Sequence, residues 1–210
     1  MLAKLIREIV ETFRDPRGFA RRVLLPRDQT VQVSISMAAL ASVLNMAQMA
    51  ALLAIGDSTV QKEIDSAPHM ADPDAAVMTL SFHDLVLITG GASFAQFVLL
   101  SVGGAIIGRM AGGRGEFRDL AAVAAWYSLC VVVASILISV MELVLGPSLA
   151  GVAAIMLLLY GFWMLAALIG EAHGFERTGV VLVGLFAGIA GFAMVAATVL
   201  NMTGVLGGAG

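Results

Sequence analysis

Charge is scarce in this 210-residue chain, and cysteine is nearly absent. Only 13% of the residues are charged, where a soluble domain carries roughly a quarter. The few charges sit in gaps between long apolar runs, so an ordinary water-soluble fold is excluded. The single cysteine, Cys130, excludes an internal disulfide. Lying inside an apolar run, it reads as a small buried hydrophobe. Catalytic signatures are missing too. The chain has no Ser-His-Asp order, no HExxH and no paired carboxylates within its apolar runs, so no enzymatic activity and no cofactor are expected. A secretory signal is also missing. Residues 1–14 alternate acids, bases and apolar side chains, and the first apolar run starts only near Val31. No internal repeat is evident.

What is present is hydrophobic: 60% of the residues, with a mean hydropathy of +0.95. The apolar residues gather into five runs, about 31–55, 85–108, 121–145, 149–170 and 178–203. Each reaches the ~20 residues that a helix needs to cross the hydrocarbon of a bilayer. The fold class expected is all-α, a polytopic membrane protein with five transmembrane helices. Gly146-Pro147-Ser148 is a tight turn that makes the third and fourth spans antiparallel neighbours. The link from Glu171 to Arg177 is also short. Residues 56–84 form the one long connection, an acidic loop, and residues 204–210 form a tail.

The distribution of positive charge orients the bundle. Lys4, Arg7, Arg14, Arg17, Arg21, Arg22 and Arg27 precede the first run. Arg109, Arg114 and Arg118 lie between the second and third, and Arg177 lies between the fourth and fifth. Only Lys62 falls in a segment of the opposite parity. Short cytoplasmic segments keep their positive charge during insertion, so the N-terminus is expected inside and the C-terminus outside. The acidic loop and the tail are then external.

The leader, residues 1–30, is itself patterned. Leu2, Leu5, Ile6, Ile9, Val10 and Phe13 recur at helical spacing, with Lys4, Arg7, Glu8, Glu11 and Thr12 opposite. The helix should stop at Asp15-Pro16, because a residue before proline avoids the α region. A second short amphipathic piece, Gly18 to Leu25, stops at Pro26. Such a face expects the headgroup layer, with cations toward anionic lipid. The alternative is packing against the inner ends of the spans. Beside a membrane, a basic patch addresses headgroups rather than nucleic acid. The residues expected to touch lipid or a partner protein are Arg14, Arg17, Phe19, Arg21, Arg22, Arg114 and Arg118.

Polar side chains within the runs are the other candidates, since their burial in hydrocarbon is costly. Asn45 and Gln48 share one face of the first span, and Ser93 and Gln96 share one face of the second. Hydrogen bonding between these amide pairs is the expected use. A polar path through Asn45, Gln48, Gln96 and Glu142 for a small solute or lipid is the alternative. Glu142 lies one turn before Gly146, within reach of the outer surface. Glycines recur four apart at Gly104, Gly108 and Gly112, and again at Gly184 and Gly188. They suit close packing inside the bundle or, alternatively, the seam of a homo-oligomer. The methionines, such as Met37, Met46 and Met49, read as adaptable packing.

Gly112-Gly113-Arg114-Gly115 reads as a flexible turn. It has no preceding strand and no Lys-Ser/Thr, so it is not a phosphate loop. Gly174 reads as a helix stop, and His173 as an exposed loop histidine with neither metal nor proton role. His69 and His83 beside Asp72, Asp74 and Asp84 match no tight metal spacing, and no metal is expected.

Three stretches carry a resemblance: Asp-Pro-Arg-Gly-Phe at 15–19, Gly-Gly-Arg-Gly-Glu-Phe-Arg-Asp-Leu at 112–120, and Trp163 followed by His173-Gly174-Phe175. Together with five spans and a basic leader, they resemble the bacterial branch of the Yip family. The resemblance implies a non-enzymatic integral membrane protein of membrane traffic or organisation, in the inner membrane of a bacterium. Eukaryotic members resemble this layout and bind Rab-type GTPases through cytosolic segments. The leader here is far shorter than theirs, so GTPase binding is not expected.

Overall fold

A computed structural model describes residues 2–24, 31–64 and 82–202. All regular structure among them is helical. The leader forms α1 (Leu2–Arg14) and α2 (Pro16–Phe19), the latter running into a single π turn, Ala20–Leu24. Five long helices follow: α3 (Val31–Ile64), α4 (Phe82–Met110), α5 (Phe117–Leu145), α6 (Pro147–His173) and α7 (Thr178–Met202).

Local chemistry accounts for the helix ends. Asp15 caps α2, its carboxylate accepting from the Gly18 amide at 2.9 Å, and Pro16 takes the first helical position, where it loses no hydrogen bond. At the start of α5 the Glu116 amide donates to Asp119 at 3.1 Å. Gly146, at φ +86°, is the whole link between α5 and α6, a conformation open to glycine at little cost. Gly174, at φ +72°, ends α6 in the left-handed conformation. Phe175 then donates back to the Gly170 carbonyl at 2.8 Å.

The long helices overrun their expected spans. The first continues as α3 to Ile64 rather than stopping at 55. Gly56 and Asp57 oppose a helix by only about 1 kcal/mol each, and no proline intervenes before Pro68. The connection read as loop over 56–84 is thus helical over 56–64 and 82–84. The remainder, 65–81, lies outside the described residues, as do 25–30 and the tail.

At the centre of the bundle, α5 packs against α3, α4 and α6, and α7 lies against α6. Burial is polarised along the axis. Leu120 to Cys130 on α5 and Met164 to Gly170 on α6 are buried without a break. These stretches are adjacent because the two helices run antiparallel. At the opposite end Val140, Leu143, Val144, Leu149, Val152, Ile155 and Met156 are exposed. So much apolar surface is out of place in water.

Among the described residues, four helices are apolar and long enough to cross a membrane: Val31–Ala51, Leu87–Met110, Phe117–Leu145 and Pro147–His173. In α7 the apolar stretch within the described residues is Thr178–Gly188.

Candidate functional site at the basic end of the bundle

The three arginine-bearing segments meet at the buried end, where the leader docks onto the start of α5 and the end of α6. Period and contact explain the docking. On α1, Ile9 and Thr12 are buried, and Leu5 and Phe13 pack on the same side. Thr12 accepts from the Trp126 indole N–H at 2.9 Å and donates to the Glu8 carbonyl at 2.8 Å. An indole N–H buried at a helix junction needs such a partner. The Tyr160 hydroxyl donates to the Phe13 carbonyl, and their rings stack at 5.8 Å. Phe19 is completely buried and stacks on Trp126, ring centres 5.0 Å apart.

Most of the leader's cations are engaged within the chain. Arg17 reaches the link after α6, where its two terminal nitrogens donate to the Glu176 and Phe175 carbonyls at 2.8 and 2.9 Å. The guanidinium fork satisfies carbonyls that the end of a helix leaves open. Arg21 grips Glu171 through two bonds, 2.8 and 3.2 Å. That hydrogen bond holds Arg21 above its already high protonation range. Arg22 pairs with Glu11 at 2.5 Å, and Arg118 lies 2.9 Å from Glu116. By contrast, Arg7, Arg14, Arg109, Arg114 and Arg177 are exposed with no side-chain hydrogen bond or ion pair among the described residues. Arg7 and Arg14 line an open hollow of about 420 Å³ with Val10, Glu11, Asp15 and Arg22.

His173 corrects its sequence reading. It is not an exposed loop residue. It is the last residue of α6 and only 2% exposed. The Gly115 amide donates to its Nδ1 at 3.1 Å, so Nδ1 is the acceptor. Nε2 then carries the proton and faces the Gly104 carbonyl at 3.1 Å. The Arg114 amide also donates to the His173 carbonyl at 3.1 Å. The imidazole thereby joins α4, the 111–116 link and α6.

The glycines around it are required by contact rather than by flexibility. A Cβ on Gly108 would lie 2.0 Å from Nε2, and one on Gly113 or Gly115 would lie 2.6 or 2.7 Å from Nδ1. Gly104 is likewise occupied, its absent Cβ 3.2 Å from Leu120. The Gly104–Gly108 ridge therefore faces this bundle's own side chains.

The intramembrane candidates separate. Asn45 donates to Ser93 across α3 and α4 at 2.6 Å. Gln48 turns to α5, donating to Ser139 at 3.0 Å and accepting from Ser135 at 2.7 Å. Gln96 joins neither and is exposed on α4, and Glu142 is exposed near the end of α5. The serines of α5 escaped the sequence reading because Ser135 and Ser139 sit in an apolar run with no amide beside them. Thr12 and Trp126 escaped it because nothing local links positions 114 residues apart.

Long apolar helices, an apolar outer surface and basic segments gathered at one end define an integral, multi-pass α-helical membrane protein. Within that class the assignment is narrower. The sequence matches the Yip1 domain over residues 10–198, from the leader into α7, and the chain belongs to that family. No curated protein and no solved structure matches it.

Proposed function

We propose that this protein organises anionic lipid, or a partner protein bearing acidic groups, at its basic end, without catalysing a reaction. In this reading the chain crosses the inner membrane of a bacterium five times, α7 included. Its N-terminus is cytoplasmic and its C-terminus periplasmic.

One observation carries the proposal. The leader has more apolar surface than the bundle covers. Leu5, Ile9 and Phe13 pack inward, while Ile6 and Val10 are 53% and 60% exposed. They adjoin the unpaired Arg7 and Arg14. An apolar edge flanked by free cations suits the headgroup layer, with Arg109, Arg114 and Arg177 extending the positive surface. Arg17, Phe19, Arg21 and Arg22 serve this role indirectly, by holding the leader in place, whereas Arg118 is engaged locally with Glu116 and Asp119. Asn45 and Gln48 are bonded to different helices, and Gln96 and Glu142 are exposed, so no observation favours a solute or lipid path.

The test is retention of phosphatidylglycerol by the full chain, reconstituted in mixed phosphatidylcholine nanodiscs and read by native mass spectrometry. A cation near an anionic surface is worth about 1 kcal/mol. Replacing Arg7, Arg14 and Arg114 by Ala together should therefore weaken retention on the order of 100-fold at low salt. Undiminished retention would refute the lipid reading.

A further inference from the structure

We propose that a second copy of this chain packs against α4 through Gln96. The inference requires α4 to cross the bilayer, as befits the class, and is independent of the lipid role of the basic end.

Gln96 is the tenth residue of the 24-residue apolar stretch Leu87–Met110. At 1.5 Å per residue it lies about 14 Å from the nearer end, too deep for so short a side chain to reach water. It is nevertheless exposed, and it makes no side-chain hydrogen bond among the described residues. An amide facing hydrocarbon without a partner costs roughly 2–7 kcal/mol. Asn45 and Gln48 on α3, by contrast, are both satisfied. Gln96 looks outward far from either end of its stretch.

A carboxamide is its own complement, offering both donor and acceptor. Across a two-fold axis a residue on the axis meets its own copy, so two Gln96 side chains can satisfy each other. The surroundings permit the approach. Ala92 and Gly103 flank Gln96 on one helical face, one turn before and two turns after. A Cβ on Gly103 would meet nothing within 4 Å. Small residues beside a polar one are what lets helices in lipid come close and hydrogen-bond. The Gly104–Gly108 ridge is unavailable, being filled by Leu120 and His173. The seam is centred roughly 80–120° around the same helix from that ridge.

The experiment uses the full chain in neutral phosphatidylcholine liposomes at high dilution. Ala92→Cys and Gln96→Cys are oxidised and compared with Leu158→Cys on the exposed face of α6. Cys130, completely buried, does not interfere. Covalent dimer from the two α4 positions and not from Leu158→Cys is expected. In a single-molecule subunit count, Gln96→Leu should weaken dimerisation roughly 3- to 20-fold, the range for one lost interhelical hydrogen bond in a bilayer, while Gln96→Asn retains it. A monomer throughout, equal cross-linking at Leu158→Cys, or Gln96→Leu dimerising as well as wild type would each overturn the proposal.

Discussion

At the residue scale, His173 is the most constrained side chain at the basic end. Its ring replaces the side chains that Gly108, Gly113 and Gly115 lack, and both of its nitrogens bind backbone. Two outcomes follow from that geometry. His173→Ala strands the Gly115 amide, and a buried polar group left open costs about 1–3 kcal/mol; the Gly104 carbonyl loses its second partner but keeps its place within α4. Gly108→Ala drives a methyl into the ring, with an overpacking cost of the same order. Because the clash needs the imidazole, the double variant should lose less stability than the two singles added together. Thermal unfolding of the purified protein measures all three. Strict additivity would show that Gly108 and His173 do not touch. A surface histidine, as the sequence suggests, would move none of these values.

At the element scale, the leader is a docked part of the bundle with one edge left over. Phe19 against Trp126 and Arg17 on the carbonyls after α6 are its two anchors. Truncating a buried phenylalanine costs roughly 3–5 kcal/mol, and charged hydrogen bonds about 1.5–3 kcal/mol. Phe19→Ala and Arg17→Ala should therefore release α1 and α2, speeding tryptic cleavage at Arg7 and Arg14 in membranes. Arg17→Lys should release them nearly as well, since an ammonium cannot span two carbonyls as a fork does. Cleavage as slow as in wild type would mean that other contacts hold the leader. The expectation that α1 lies either in the headgroups or against the spans resolves into a division of its surface. Leu5, Ile9, Thr12 and Phe13 take the bundle, and Ile6 and Val10 are left facing outward.

At the scale of the whole molecule, polarity along the bundle axis is the organising feature. One end is packed with buried residues and ringed by arginine, and the other presents apolar side chains outward. In the proposed arrangement of five crossings the chain's ends lie in different compartments. Reporters fused at both termini should thus give opposite signals, cytoplasmic at the N-terminus and external at the C-terminus. The same signal from both would remove either α7 or another helix from the set of spans.

Much of this plan is legible in the sequence. Gly146-Pro147, Gly174 and Asp15-Pro16 mark ends that the helices observe, because cap and turn preferences act over a few residues. The lengths of the apolar runs and the parity of the arginines are equally local or additive properties. Partner choice is not. Phe19 finds Trp126, Gln48 finds Ser135 and Ser139 rather than Gln96, and His173 finds three glycines more than 55 residues away, all through the rotation of each helix about its own axis. In a soluble helix, an apolar stripe against a polar face would announce that rotation. Helices α5 and α6 are apolar on all sides, so their sequences carry almost no record of which face turns inward. Composition and charge decided by themselves that this chain is a helical membrane protein with a basic end. Only close packing, acting between segments far apart in the chain, decided which cations stay free and which amide faces out.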